Sequence, residues 1–178
     1  GREDTGGFVG YLDADLSGVY ATGDVTGSES EGGSGGGVEN TGGLVGFIDT
    51  GASGDYNVLE DSYATGSVSG NHNVGGLVGS TMPYVDIRDS YAAGLTVTAP
   101  SGLYVGGLVG RSQGASLALQ NKIHDSYSTA DVSASGFVGG LLGHSASATD
   151  VAYSFASGDV SSNALNGVVG GLVGYMQS

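Results

Sequence analysis

Short alternations of apolar and polar residues, interrupted by glycine every few positions, run along the whole chain. Segment 61–70, DSYATGSVSG, is the clearest. Tyr63, Ala64 and Thr65 read as a short strand, Gly66 as a bend, and Ser67-Val68-Ser69 as a polar–apolar–polar triplet with Val68 inward. Tyr63 and Val68 lie five apart, so a bend or bulge near Gly66 is needed to bring both inside. In 72–79, HNVGGLVG, Val74 and Val78 share one strand face and Leu77 takes the other. Either this strand is covered on both sides, or the glycine pair curves it until its side chains converge. The units are full of Gly, Ser, Thr, Asp and Val, all weaker helix formers than Ala or Leu, and only 115–123, ASLALQNKI, suits a helical turn.

These segments recur. A Gly-Gly-Leu-Val-Gly pentapeptide stands at 6–10 (GGFVG), 42–46, 75–79, 106–110, 139–143 (GGLLG) and 170–174, with steps of 31–36 residues. Interleaved with it are VYATGDVTG at 19–27, DSYATGSVSG at 61–70, DSYAAGLTVT at 89–98, DSYSTADVSA at 125–134 and VAYSFASGDVS at 151–161. Such a period points to a solenoid or propeller. Propeller blades need about 40 residues and aromatic signatures, and Trp is absent. The expected fold is therefore all-β, a parallel beta-helix (beta-solenoid) built from 31–36-residue Gly-rich repeats. Residues 1–178 form a single array, with a flexible Gly/Ser/Glu loop at 27–41. Each period fits one large coil or one and a half smaller ones. Stacked coils would carry two internal ladders. One is Phe8, Leu44, Leu77, Leu108, Leu141 and Leu172; the other is Tyr20, Tyr63, Tyr91, Tyr127 and Tyr153.

Composition narrows the function. Glycine supplies 37 of 178 residues, yet the chain lacks a glycine at every third position and has only 2 Pro, which excludes collagen. Eighteen acids against four Lys plus Arg give a formal charge of -14, which argues against nucleic acid and anionic membranes as partners. No Cys is present, so disulfides, thiol catalysis and zinc–thiolate sites are out. No apolar run is long enough for a transmembrane helix. The start, Gly1-Arg2-Glu3-Asp4, has neither an initiator Met nor an apolar leader, and reads as a mature product or an excised fragment.

The alternation of DSYATGSVSG with VGGLVG resembles the GLUG motif, a short repeat named for its Gly-Leu-any-Gly core. The matching cores are Gly43–Gly46, Gly76–Gly79, Gly107–Gly110, Gly140–Gly143 and Gly171–Gly174. Phe8 replaces Leu in the first copy, and Ala130 replaces the glycine in the fourth Tyr motif. The resemblance implies a secreted or cell-surface bacterial or archaeal protein, adhesin-like, in which such repeats act as stalks or scaffolds. It brings no catalytic residues.

Candidate chemistry is thin. His72, His124 and His144 sit at unlike offsets from the pentapeptides and read as loop residues outside any single row. Asp61, Asp89 and Asp125, two residues before a Tyr, read as turn caps. Calcium (Ca2+) at an Asp-lined turn, including the Asp13–Asp15 pair, is the candidate ion, although no EF-hand or Gly-Gly-x-Gly-x-Asp pattern is present. Neither a catalytic nor a cofactor-binding set emerges. Thr22, Thr65 and Thr129 share a column that Ala93 and Ala156 interrupt, against an ice-binding face. The Gly-rich stretch 32–37 lacks the Lys-Ser/Thr end of a phosphate loop.

The expected function is non-enzymatic: an extracellular structural repeat module, the stalk or filament-forming segment of a surface or adhesin-like protein. No polar capping sequence flanks the array, so its partners would be itself or adjacent repeat domains, by end-to-end contact. The alternative is an adhesive module that recognises a carbohydrate or protein ligand through loops 27–40, 47–60 and 111–124.

Overall fold

The computed structural model describes residues 3–27, 38–50, 55–116 and 120–177. Every strand pairing in it is parallel, and no helix occurs among the described residues. The chain winds as a parallel β-helix: five coils of five strands, then two strands of a sixth. One sequence period is one coil. In the first coil the strands are Glu3–Gly6, Val9–Leu12, Leu16–Ser17, Tyr20–Ala21 and Val25–Thr26, and each founds one of five sheets. The pentapeptide bridges the first and second sheets, and the Tyr motif forms the fourth and fifth.

Hydrophobic columns fill the interior. Val25, Val68, Val97, Val132 and Val160 stack in the fifth sheet, and Leu16, Leu59, Ile87, Ile123 and Val151 in the third. Leu44, Leu77, Leu108 and Leu141 are fully buried at the pentapeptide corner. Each fully buried side chain of this kind contributes about 1.5–3 kcal/mol. Phe8 and Leu172 hold the same position in the first and last coils, where only one neighbouring coil covers them, and they are 54% and 38% exposed. The glycine pair resolves the two alternatives for 72–79. Asn73–Gly75 and Val78–Thr81 belong to different sheets, and the bend between them turns Val74, Leu77 and Val78 all into the core.

This corner is tight. The Leu77 carbonyl accepts the Leu44 and Val45 N–H groups of the preceding coil, and the Leu108 carbonyl accepts those of Leu77 and Val78, all at 2.9–3.0 Å. A Cβ on Gly76 would stand 2.1 Å from the Gly107 carbonyl oxygen and 2.9 Å from the Ala92 Cβ. The corner thus presses directly on the strand of the fourth sheet across the coil.

That pinch overturns the expected inner Tyr ladder. The residues facing the glycine corner must be small, and Ala21, Ala64, Ala92 and Ser128 fill the inside there. Alternation then puts Tyr20, Tyr63, Tyr91 and Tyr127 on the outer face. Tyr153 leaves the column altogether: Phe155 pairs with Tyr127, and Tyr153 is 88% exposed with φ 48°. It occupies the left-handed corner that Asp61, Asp89 and Asp125 hold with φ of 49–50° and Gly18 with φ 67°. Asp reaches that region more readily than most side chains.

The capping expected of those aspartates falls to the next residue. Ser62, Ser90 and Ser126 are buried and form an internal ladder. The Oγ of Ser90 accepts the Ser62 N–H at 3.2 Å and donates to the Arg88 carbonyl at 2.7 Å. Ser126 and Ser154 repeat both bonds. Within 115–123, Asn121 onward is strand and residues 117–119 lie outside the described residues, as do 28–37 of the expected loop and 51–54.

Candidate interaction surfaces

The third sheet carries a cluster of charges of both signs on its outer face. Glu60, Arg88 and His124 stack in one column, with Asp86 and Lys122 in the next but one. Arg88 donates from Nε and Nη2 to Glu60 Oε2 at 2.9 and 2.6 Å, and its Nη1 lies 3.5 Å from Asp86. His124 sits between two carboxylates, Nδ1 at 2.8 Å from Asp125 and Nε2 at 3.0 Å from Asp86. Its pKa is raised, first by the Asp125 hydrogen bond and then by Asp86, against the effect of burial. The Arg88 pKa is raised too, chiefly by its bond to Glu60. The charges therefore answer one another locally.

A second constellation lies where the outer faces of the first and second sheets meet. Here two stacked columns run side by side, Asn40, Asn73, Tyr104 and Phe137 in the first sheet and Phe47, Ser80, Arg111 and His144 in the second, and Tyr104 meets Arg111 as Phe137 meets His144. Asn73 Nδ2 donates to Asn40 Oδ1, and Asn40 Nδ2 to Asp4 Oδ1, both at 2.7 Å. Towards the other end the seam turns aromatic. The His144 ring is 4.3 Å from Tyr104 and 5.4 Å from Tyr175, nearly parallel to each. Arg111 lies 5.0 Å above the Tyr104 ring. His144 is only 5% exposed, and burial, with help from Arg111, pushes its pKa down to about 4. Glu39 is buried beside His72, and desolvation raises its pKa despite that neighbour.

The three histidines thus fall in three different columns. Contrary to the loop reading, His124 and His144 belong to strands Asn121–His124 and Leu142–Ser145. Many candidate aspartates serve as caps between coils. Asp15 accepts the Val58 N–H at 2.8 Å, Asp24 that of Ser67 at 2.8 Å, and Asp131 that of Asp159 at 2.9 Å. Among the described residues no three His, Asp or Glu side chains converge as a metal-holding group.

The excursions at 47–60 and 111–124 begin and end in strands, and both leave the coil at the corner between the second and third sheets. The loop at 27–40 leaves elsewhere, between the fifth sheet and the first. At the shared corner Tyr56 donates its hydroxyl to the Gln120 carbonyl at 3.0 Å, and Lys122 lies 4.5 Å from the Tyr56 ring. Farther along the same corner Ala115, Ser116, Gln120, Ala148, Met176 and Gln177 line a largely apolar hollow.

The end coils form the remaining surfaces. Exposed large apolar side chains gather there: Phe8, Tyr11 and Tyr20 on one, Phe155, Leu165, Val169, Leu172 and Met176 on the other. The sequence alone does not reveal the buried serine ladder or the outer position of the Tyr rings, although the Ser between Asp and Tyr in three of the five motifs signals the ladder.

The repeat of this coil is itself the deciding observation. The family model described as the GLUG motif matches residues 1–26 and 70–98. The chain carries GLUG repeats. Residues 1–26 correspond to almost the whole first coil, and 70–98 take in the third coil through the Tyr motif and into the fifth sheet. In this chain each matched region thus spans most of one turn of the five-sheet solenoid. No curated protein and no solved structure matches the chain.

Proposed function

We propose that this GLUG array is a non-enzymatic structural module of an extracellular or cell-surface protein, a stalk or filament segment that extends by end-to-end contact with further repeats or a second copy. The observation that carries this reading is the pair of end faces. Each presents a row of strands with a neighbour on one side only, together with uncovered apolar residues. Open strand edges of this kind template further pairing. Absence of Cys fits a fold held by stacking, and a charge of -14 disfavours lateral clumping.

Gly171 supplies the test. In every interior coil the equivalent glycine lies under the carbonyl of the next coil's glycine, with only 2.1–2.2 Å left for a Cβ at Gly43, Gly76, Gly107 and Gly140. At Gly171 nothing stands within 4 Å. Gly171→Ala therefore leaves the fold intact but blocks a further coil from seating. Sedimentation velocity over a concentration series should show head-to-tail association of the parent chain and its loss in the variant. A parent chain that stays monomeric throughout, or a variant that associates equally, overturns the stacking reading.

A second reading is an adhesive module. It is favoured by the common corner from which two of the three excursions emerge, lined by Tyr56, Tyr84, Gln120 and Lys122 and continuing into the hollow beside Met176. Surface-array screening against glycans and host proteins, with Tyr56→Ala as control, separates it from a plain scaffold.

A further inference from the structure

The outer face of the fourth sheet is the most regular surface of the molecule. Tyr20, Tyr63, Tyr91, Tyr127 and Phe155 stack with centroid spacings of 5.1, 4.8, 4.9 and 5.0 Å and interplanar angles of 6°, 1°, 5° and 2°. The strip runs along the solenoid axis for roughly 20 Å, four steps of the ~4.8 Å strand spacing. One flank is an acidic row: Asp61, Asp89 and Asp125, all exposed and turned outward by their left-handed backbone. Arg88 is engaged with Glu60 and Asp86, whereas His124 bonds Asp125 of the row itself as well as Asp86, so the row's charge is carried chiefly by Asp61 and Asp89. The other flank, with Thr65, Ala93 and Thr129, is uncharged.

We propose that this strip binds elongated, planar, cationic aromatic molecules lying along the axis. The ring faces are consumed by one another, so sugars cannot stack on them. What the ladder offers is a continuous row of ring edges, and these meet the π-face of a flat ligand in the favourable edge-to-face arrangement. The Asp row selects a positive charge and rejects anions. An extended peptide is a poorer match. Its same-face side chains repeat at about 6.8 Å against 4.8–5.1 Å here, so contacts lose register within two coils. A rigid conjugated cation has no period to match.

Thioflavin T, an elongated benzothiazolium cation whose two ring systems fluoresce brightly only when held against rotation, is the probe. Fluorescence titration of the full chain should give saturable binding that weakens with salt. Asp61→Asn with Asp89→Asn keeps residues that accept the left-handed backbone, so the fold survives, and affinity at low salt should fall three- to tenfold. Tyr91→Ala, checked for an unchanged circular dichroism spectrum, should abolish the bright bound state. An anionic naphthalene sulfonate should show no Tyr91-dependent binding. The proposal is overturned if no saturable binding occurs. It also falls if the asparagine pair binds as tightly as the parent, or if Tyr91→Ala binds the dye unchanged, which would place it at the solenoid ends. If an oligolysine binds with Tyr91 dependence and the dye does not, the partner is a basic peptide and the planar-ligand proposal fails.

Discussion

Replacing Gly76 with alanine should cost this protein a large part of its stability, whereas the same change at Gly171 should cost almost nothing. At Gly76 the new methyl would meet the Gly107 carbonyl oxygen at 2.1 Å and the Ala92 Cβ at 2.9 Å. Both obstacles are fixed, one being backbone and the other a Cβ. Restoring ordinary contact requires neighbouring coils to separate by about 1 Å at a corner packed to interior density. The bonds that stretch are Gly76 N–H to the Gly106 carbonyl at 3.2 Å, and Leu77 and Val78 N–H to the Leu108 carbonyl at 2.9 Å. At about 1 kcal/mol each, with the Leu77–Leu108 contact loosened as well, the loss is about 3–6 kcal/mol. A domain of this kind has about 5–15 kcal/mol in total. Gly171 has open space and no left-handed backbone. Its alanine variant should therefore stay within about 0.5 kcal/mol of the parent, or gain slightly from a stiffer unfolded chain. Urea unfolding followed by circular dichroism reads both, by comparing midpoints at equal slope. Equal midpoints for the two variants, or a loss below 1 kcal/mol at Gly76, would refute the account of coil packing.

Other consequences follow from the interior and its titrating groups. Asn121 donates to Thr81 and Ser112 and accepts the Val85 N–H, all at 2.9 Å; Asn121→Ala should cost about 2–4 kcal/mol in urea unfolding by orphaning those groups. Ser90→Ala strips the buried Ser62 N–H of its acceptor and should cost about 1–3 kcal/mol. His144, with a folded pKa of about 4, favours the folded state while neutral. Its contribution is full above the unfolded value of 6.5 and is lost as pH falls from there towards 4, up to roughly 3 kcal/mol; His144→Leu should flatten that acid limb of a stability–pH profile. His124 has the opposite sign, since its pKa is raised. Its stabilisation is complete below 6.5 and disappears as pH rises through the folded value, so His124→Gln should remove a decline on the neutral-to-alkaline side.

The sequence exposed the array, its period and the Leu columns because these depend on spacing alone. It misplaces the tyrosines because a bend near Gly66 does not by itself turn Tyr63 and Val68 to the same side. Tyr63–Ala64 and Val68–Ser69 are two-residue strands of different sheets, so the five-residue separation of Tyr63 and Val68 says nothing about a shared face. What decides the face is the cross-coil approach of Gly43 to Ala64, a contact between distant segments. Tyr153 misled for a related reason. It looks like the motif tyrosine, but Ser154 aligns with Ser62, Ser90 and Ser126 by its bonds, which moves Phe155 into the ring column. The charged and aromatic clusters were illegible because their members come from successive coils at columns that no motif marks.

Stacked coils act as an alignment of the chain with itself, and the columns divide into two kinds. Columns that face the hydrophobic core hold their residue type, as in Val25, Val68, Val97, Val132 and Val160. The column at the seam of the first two sheets changes type even though Phe47, Ser80 and His144 are buried there: Tyr11, Phe47, Ser80, Arg111, His144 and Tyr175 follow one another in the second sheet. The aromatic ladder is outer in position yet constant like an inner column. Stacking alone accounts for much of that constancy, at about 0.5–1.5 kcal/mol per ring pair. Ring–ring contact does not account for the acidic row beside it, because the corner needs only a left-handed backbone, which Gly18 and Tyr153 also supply. Asp125 is held by His124 at 2.8 Å, but Asp61 and Asp89 stand one coil apart with like charges that repel. The effect of removing their charge on cation binding therefore separates a recognition strip from a purely structural ladder.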